Sequence, residues 1–234
     1  MSHRVSIRPE IVERVVARRG RLHLFDHIDA RTSAFVVIDM QPTFVAPGAP
    51  AEVPAARGIV PAINRLAREM RRRGGCVVWV MHANDSRDGR SDWPGFFDRF
   101  VTADTRARTI AGLSPNASGQ QLWSAIEAEP SDQRLFKNRY SALIAGSSQL
   151  EQVLRDGGIE TLLIGGTKTN VCCESTARDA MMLDFNVVMV SDCLAALSDD
   201  EHRGTLENVI QQFGDVMTVD EVLQRLISAK EPSQ

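Results

Sequence analysis

Short apolar runs alternate with amphipathic stretches along the 234 residues of the chain. The runs are mostly aliphatic and β-branched, without polar interruption, which is typical of strands buried on both faces of a parallel sheet. Alternation of such strands with helices favours βαβ units with right-handed crossovers. The pattern therefore predicts an α/β fold of three layers, α/β/α, around a mostly parallel, Rossmann-like sheet of about six strands. We place the strands at 34–38, 76–81, 133–136, 161–164, 186–190 and 215–219.

Apolar residues spaced three and four positions apart predict the helices between these strands. In residues 58–73, four apolar side chains share one face among arginines, and Gly74 follows as a stop signal. A short amphipathic helix at 10–19 precedes the first strand. The other helices are predicted near 119–128, near 147–156, at about 172–183, near 199–213 and after residue 219.

Residues 84–118 follow neither periodicity and are rich in Gly, Pro, Ser and charged side chains. A loop of this length inside a compact domain is usually functional, so we expect a lid or a pocket wall. Its aromatic side chains either line that pocket or pack on the domain surface or a neighbouring subunit. They are Trp93, Phe96 and Phe97.

The chain contains no internal repeat, low-complexity tract or linker, which predicts a single domain over 1–234. An N-terminal extension of about 1–30 precedes its first strand, as a cap or as an arm exchanged between subunits. Residues 229–234 are expected to fray.

Composition excludes several classes of protein. The 43% hydrophobic and 24% charged residues are those of a globular protein, and the net charge of −3 leaves no basic excess for nucleic acid. The sequence shows no signal peptide and no apolar segment long enough for a membrane, so we expect a cytoplasmic protein. The four cysteines lack C-x-x-C spacing and form no disulfide framework, so at least one thiol is a candidate for chemistry.

Three reactive side chains stand at the carboxyl ends of predicted strands, where ligands bind in open α/β sheets. They are Asp39, Lys137 and Cys172. A helix N-terminus and a neighbouring cation are expected to lower the pKa of the Cys172 thiol. Asp39 could move its proton, and Lys137 could hold the two groups together. Each residue alone has an ordinary structural explanation, so the interpretation depends on all three meeting.

Three motifs in order, each at a predicted strand end, resemble those of the isochorismatase-like cysteine hydrolases, the cysteine amidohydrolases of the N-carbamoylsarcosine, nicotinamidase and ureidoacrylate type. The resemblance covers about 35–219. The motifs are VVIDMQPTF at 36–44, KNRYSA at 137–142 and GTKTNVCCESTARDA at 166–180.

The resemblance implies a catalytic triad of Asp39, Lys137 and Cys172, with Cys173 as a packing residue. It also implies an oxyanion hole from the backbone N–H groups of Lys168 and Cys172, beside a non-proline cis peptide bond between Thr167 and Lys168. Similar enzymes attack an amide or ureido carbonyl with the thiolate and release ammonia. They are commonly dimers or tetramers, so we expect a homodimer or homotetramer acting on a small molecule.

The sequence departs from its relatives at positions that bear on the substrate. Lys168 replaces a usual Ala or Thr, where it could crowd the site or bind an anion, and Leu143 replaces a common aromatic residue. The Asp-x-His metal motif is missing around His82, so no metal and no cofactor are expected. Arg87, Arg90 and Arg139 are candidates for gripping a carboxylate. Substrate contacts are expected from Gln41, Phe44, His82, Asn84, Trp93, Tyr140 and Thr167, although His82 has the alternative of an ordinary loop histidine.

Two other functions remain open at this point. One is isochorismate-type hydrolysis of a vinyl ether, which needs the aspartate but not the thiol. The other is a thiol redox or regulatory protein that uses Cys172 and Cys173.

Overall fold

A six-stranded parallel sheet forms the centre of the computed structural model, which describes residues 3, 5–84 and 91–227. The strand order is β4-β3-β2-β5-β6-β7, and every pairing is parallel. The predicted three-layer α/β/α fold is therefore confirmed. The strands are β1 Ile28–Asp29, β2 Ser33–Ile38, β3 Cys76–His82, β4 Gln133–Lys137, β5 Thr161–Thr167, β6 Asn186–Ala195, β7 Asp215–Met217 and β8 Leu226–Ile227.

Helices cover both faces of the sheet because successive strand residues point to opposite sides. In β2, for example, Val36 packs with the apolar residues of α1, α6, α7 and α8, whereas Val37 packs with those of α3 and α9. The helices are α1 Pro9–Arg19, α2 Pro42–Val45, α3 Ala56–Arg72, α4 Pro94–Phe97, α5 Ala103–Leu113, α6 Leu150–Asp156, α7 Glu174–Met182, α8 Asp199–Gln212 and α9 Val219–Arg225. None of these helices is long and apolar enough to cross a bilayer.

The connection between β3 and β4 differs from the prediction. Helices α4 and α5 lie within the predicted loop, and the helix predicted near 119–128 is a 3₁₀ turn, Ser118–Gln120, followed by irregular chain. Tertiary hydrogen bonds hold that chain instead of helical ones: Asn64 Nδ2 donates to the Ala125 carbonyl at 2.9 Å and Asn64 Oδ1 accepts from the Glu127 N–H at 3.1 Å. Contacts with α3 thus override the local periodicity.

The segment before the first sheet strand packs on the same chain. The Arg8 guanidinium binds both oxygens of Glu207 on α8, at 2.6 to 3.0 Å, and Ile11 and Val15 of α1 enter the core. Strand β1, which the sequence analysis missed, pairs in parallel with β8. The predicted fraying of 229–234 lies outside the described residues.

Candidate active site

The three predicted reactive groups meet at the carboxyl edge of the sheet. The Lys137 ammonium nitrogen lies 2.9 Å from Asp39 Oδ2 and 3.4 Å from Cys172 Sγ. All three side chains are buried, with 1% of Asp39, 1% of Lys137 and 7% of Cys172 exposed. Asp39 directly follows β2, Lys137 is the last residue of β4, and the turn after β5 carries Cys172. Burial of a charged amine or carboxylate is costly unless the charge is paired, and here the Lys137 ammonium is paired with the Asp39 carboxylate.

Unusual backbone conformations surround these groups. Asp39 has a positive φ of 56°, a conformation that non-glycine residues rarely adopt and that is found in many functional sites. Gly166, at φ 110°, is where β5 passes β2: a Cβ there would stand 2.0 Å from the Ile38 carbonyl oxygen. The peptide bond between Thr167 and Lys168 is cis, and a π-helical turn, Thr169–Cys173, follows it.

Two features of this turn bear on the predicted oxyanion hole and on the adjacent cysteines. The Lys168 N–H donates to no acceptor among residues 5–84 and 91–227, whereas the Lys168 carbonyl accepts from Val171 and Cys173. Cys172 lines a cavity beside Asp39. Cys173 is fully buried, with its sulfur 3.8 Å from the Gly165 carbonyl oxygen.

Lys137 is the centre of a network that includes His82. Besides Asp39 and Cys172, its ammonium nitrogen approaches His82 Nδ1 at 3.2 Å and the Arg139 carbonyl at 3.0 Å. Since an ammonium group can only donate, Nδ1 must accept, and a neutral imidazole then carries its proton on Nε2. Burial, together with the charges of Lys137 and Arg139, lowers the pKa of His82 well below 6.5, which favours the same neutral form.

The protonation of the site differs from the expectation of a low thiol pKa. Burial, with the Asp39 charge as the next cause, raises the pKa of Cys172 to about 12, and the Lys137 charge offsets only part of this. Burial also raises the pKa of Asp39, against the opposing charge of Lys137. Cys172 lies in the π-helical turn ahead of α7, in a desolvated position. Cys172 therefore rests as a neutral thiol close to the Asp39 side chain.

A cavity of about 210 Å³ opens directly onto Asp39 and Cys172. It is smaller than the roughly 300 to 1,000 Å³ of typical drug-sized sites, so it suits a small molecule. Of the predicted substrate contacts, five lie in its wall: Phe44, His82, Trp93, Tyr140 and Thr167. A larger groove of about 560 Å³ between α1 and α8 contains none of the predicted site residues.

Two predicted contacts, Gln41 and Asn84, do not line this cavity. The fully buried Gln41 amide donates to the His82 and Gln120 carbonyls and accepts from the His82 N–H, so it ties the ends of β2 and β3 together. Asn84, also fully buried, donates from Nδ2 to Ser91 Oγ at 3.0 Å. Both side chains hold the chain around the site and lie outside the cavity wall.

Helix α5 contributes a part of the wall that the sequence pattern did not predict, since no helix was expected there. Thr105, Thr109 and Leu113 of α5 face the cavity together with Phe96 and Phe97 of α4. These three α5 residues are spaced four positions apart, which could have indicated a helix, but the helix is weakly amphipathic and the pattern is faint. Arg139 is engaged elsewhere, donating to the Asn138 carbonyl at 2.7 Å and the Asp92 carbonyl at 3.2 Å. Arg87 and Arg90 lie outside the described residues, within which no group of three possible metal ligands occurs.

Comparison with known proteins gives a consistent result. Residues 33–221 match the family described as isochorismatase domain. A ureidoacrylate amidohydrolase, RutB of Caulobacter vibrioides, is 31% identical over 82% of this chain and 89% of its own length. A probable inactive nicotinamidase of Arabidopsis thaliana is 30% identical over 75% of this chain and 87% of its own. The crystal structure of a cysteine hydrolase from Pseudomonas syringae pv. phaseolicola superposes with a TM-score of 0.74 and 26% identity, covering 85% of this chain and 93% of that one.

Proposed function

Because the chain belongs to the isochorismatase family, we propose that it is a cysteine-dependent amidohydrolase acting on a small molecule. It cleaves a carbon–nitrogen bond other than a peptide, in a ureido (N-carbamoyl) or primary carboxamide group, and releases ammonia. One observation carries this proposal: the Lys137 ammonium contacts both the Asp39 carboxylate and the Cys172 thiol at the wall of the cavity.

The first half of the reaction forms a covalent intermediate. Asp39 takes the thiol proton as Cys172 Sγ attacks the substrate carbonyl carbon, and the carbonyl π electrons move onto oxygen. The Lys168 and Cys172 N–H groups receive that oxyanion. When the carbon–nitrogen bond breaks, Asp39 returns the proton to nitrogen and ammonia leaves. A neutral thiol with a pKa of about 12 needs such a base, because very little thiolate is present at neutral pH.

The second half consumes one water. Asp39 removes its proton as the oxygen attacks the thioester, or the corresponding thiocarbamate from a ureido group, and the thiol leaves with the proton restored. A carboxamide yields an acid. A terminal ureido group yields a carbamate, which loses carbon dioxide to give an amine. Lys137 keeps its charge throughout, since Asp39 and Cys172 raise the pKa of its ammonium group despite burial.

The adjacent thiols are poorly suited to the redox alternative. Redox-sensing cysteines are solvent-accessible and have a low pKa. Here burial raises the pKa of both Cys172 and Cys173, and Cys173 is fully buried. No observation favours vinyl ether hydrolysis over amide hydrolysis. Cleavage of a vinyl ether is therefore included among the outcomes of the test.

The test uses the two neighbouring cysteines as a matched pair. We expect the purified, reduced protein to release ammonia from members of a panel of ureido acids and primary amides. Cys172→Ala should lower kcat at least about 10³-fold because the nucleophile is lost. Cys173→Ala removes only a buried sulfur, so it should keep most of the activity at a modest cost in stability.

Three results would count against the proposal. The first is absence of ammonia release across the whole panel. The second is activity that survives Cys172→Ala but not Cys173→Ala. The third is cleavage of isochorismate that persists in Cys172→Ala, which would favour the vinyl ether reaction.

A further inference from the structure

The groove of about 560 Å³ between α1 and α8 lies at the amino ends of β6 and β7. It is therefore at the edge of the sheet opposite Asp39 and Cys172, and the proposed reaction does not use it. None of the described residues that line it is acidic, although the chain as a whole has a net charge of −3. Its wall concentrates positive charge in four arginines: Arg14, Arg18, Arg19 and Arg21.

Hydrogen bonds to the end of α8 hold the guanidinium groups of Arg14 and Arg18 at this groove. Arg14 Nη1 donates to Gln211 Oε1 at 3.0 Å, and Arg18 Nη1 donates to the Gln211 carbonyl at 3.0 Å and to Gln212 Oε1 at 2.9 Å. Both glutamines line the groove. These acceptors are neutral, so they orient the guanidinium groups without cancelling their charges. Among the described residues, Nε and Nη2 of both arginines have no acceptor, and neither arginine has an ion-pair partner.

The other two arginines of the wall have acidic partners. Arg19 lies 3.7 Å from the Asp215 carboxylate, and Arg21 pairs with Asp26 at 2.7 Å. The two arginines held by α8 therefore carry the charge that the described residues leave unbalanced. They stand four positions apart on one face of α1, where like charges repel each other. An anion bound between them would remove this repulsion.

The unused N–H groups of this arginine pair suit a phosphate. Each guanidinium presents Nε–H and Nη2–H side by side, which matches two oxygens of a phosphate or a carboxylate. A single carboxylate has two oxygens and one charge, whereas a phosphate has three terminal oxygens and up to two charges, enough for both arginines. Side chains four positions apart on a helix start about 5 to 6 Å from each other, so one phosphate can reach both.

The rest of the groove is too large and too apolar for a phosphate ion alone. Its volume falls within the roughly 300 to 1,000 Å³ of sites that hold small organic ligands. Aromatic and aliphatic side chains cover much of the wall, among them Leu24, Phe25, Phe185, Ile210 and Phe213. A ligand that fits both parts joins a phosphate to a flat ring of low polarity.

We propose that this groove binds a nucleoside phosphate, with the phosphate between Arg14 and Arg18 and the base against the apolar wall that includes Phe25 and Phe213. The site is separate from the candidate active site, and the inference does not rest on the proposed hydrolysis.

The test is calorimetry on the full chain at physiological salt with ADP, GDP, CDP and UDP, the matching nucleosides and pyrophosphate. At least one nucleotide should bind the wild type, and Arg14→Gln/Arg18→Gln should weaken that binding about tenfold or more. Arg68→Gln/Arg72→Gln is the matched control, because it removes two arginines at the same spacing on α3, each paired with a glutamate. It should change Kd less than about twofold, since distant exposed charges are screened.

The two halves of the nucleotide distinguish this ligand from a simpler one. The nucleoside and pyrophosphate should each bind at least about tenfold more weakly than the nucleotide, because each uses only part of the wall. Either of them binding as tightly as the nucleotide would overturn the proposal. So would the absence of nucleotide binding at millimolar concentration, unchanged binding in Arg14→Gln/Arg18→Gln, or an equal loss in the α3 control.

Circular dichroism shows whether the glutamine variant folds, since its arginines also contact α8. If it does not fold, Arg14→Lys/Arg18→Lys replaces it. Lysine keeps the charge but lacks the paired N–H groups, so Kd should rise at least about threefold. An unchanged Kd in the lysine variant would then overturn the proposal.

Discussion

At the scale of single residues, the proposed chemistry depends on the Cys172 thiol and the Asp39 carboxylate. Burial disfavours the charged form of each, so the pKa of both is raised even though Lys137 touches both. In the proposed mechanism, the pair therefore rests with its proton on sulfur and passes it to the carboxylate as the bond to the substrate carbon forms. Position at strand ends, together with the motifs shared with a known family, predicted these groups from the sequence. Their protonation depends on desolvation, which no local pattern reveals.

The raised pKa values of Asp39 and Cys172 predict how activity depends on pH. Asp39 must be ionised to accept the thiol proton, so kcat/KM should fall as pH falls through the pKa of Asp39. Because burial raises that pKa, the acidic limb should lie above 3.8. The thiol pKa of about 12 predicts no rise in activity between pH 8 and 9 from thiolate formation. Ammonia release measured across pH, with circular dichroism to show that the protein stays folded, checks both statements.

Asp39→Asn provides the comparison for this profile. An amide cannot take the thiol proton, so kcat should fall about 10²- to 10⁴-fold and the acidic limb should disappear. A wild-type profile that rises through pH 8.5 would show that a free thiolate, and not the Asp39–Cys172 pair, is the reacting species.

At the scale of elements, the site depends on how closely β2 and β5 approach each other. Strand β5 delivers the turn that carries Cys172, and β2 delivers Asp39, but side chains larger than hydrogen cannot fit where Gly166 passes Ile38. A glycine in a strand often marks such a close approach. The sequence showed Gly165 and Gly166 after the predicted strand at 161–164. Only the pairing of β2 with β5, which sets Gly166 against Ile38, explains why residue 166 is a glycine.

Two glycine substitutions test this point. Gly166→Ala would put a Cβ 2.0 Å from the Ile38 oxygen at a φ of 110°, so we expect a loss of about 3 to 5 kcal/mol and of activity. Gly204→Ala lies on the exposed side of α8, where the added Cβ would meet no heavy atom within 4 Å, so it should instead stabilise by about 0.5 to 1 kcal/mol. Urea denaturation and the ammonia assay measure both. Similar stability in the two variants would refute the close-approach argument.

The element predictions failed where tertiary contacts replace local ones. Residues 121–128 have helical spacing, yet Asn64 of α3 hydrogen-bonds their backbone in an irregular path. Helix α5 is the opposite case, because a helix forms where none was predicted. Thr102 caps its N-terminus by accepting a hydrogen bond from the Thr105 N–H. Its weak apolar stripe faces the cavity and contributes little to the core, so the pattern that usually identifies a helix is faint.

At the scale of the whole molecule, the assembly remains a prediction. Large apolar side chains stay exposed on the described surface of the single chain: Phe100, Phe136, Ile144, Met182 and Leu197. Single exposed apolar side chains are ordinary, and only contiguous patches mark contacts between proteins, so the expectation of an oligomer still rests on the family resemblance. We expect light scattering after size exclusion to give two or four times 25.8 kDa. A mass of one chain at every concentration tested would contradict the homodimer or homotetramer.

The sequence by itself determined the fold class and the family resemblance, and it predicted the three candidate reactive residues. Buried strands, helical faces and strand-end motifs are local patterns, and parallel strands bring their carboxyl ends to one edge. Only the tertiary structure decided which predicted contacts reach the cavity, how Gln41 ties β2 to β3, and why the Cys172 thiol is neutral. These properties depend on distance and burial between residues far apart in sequence.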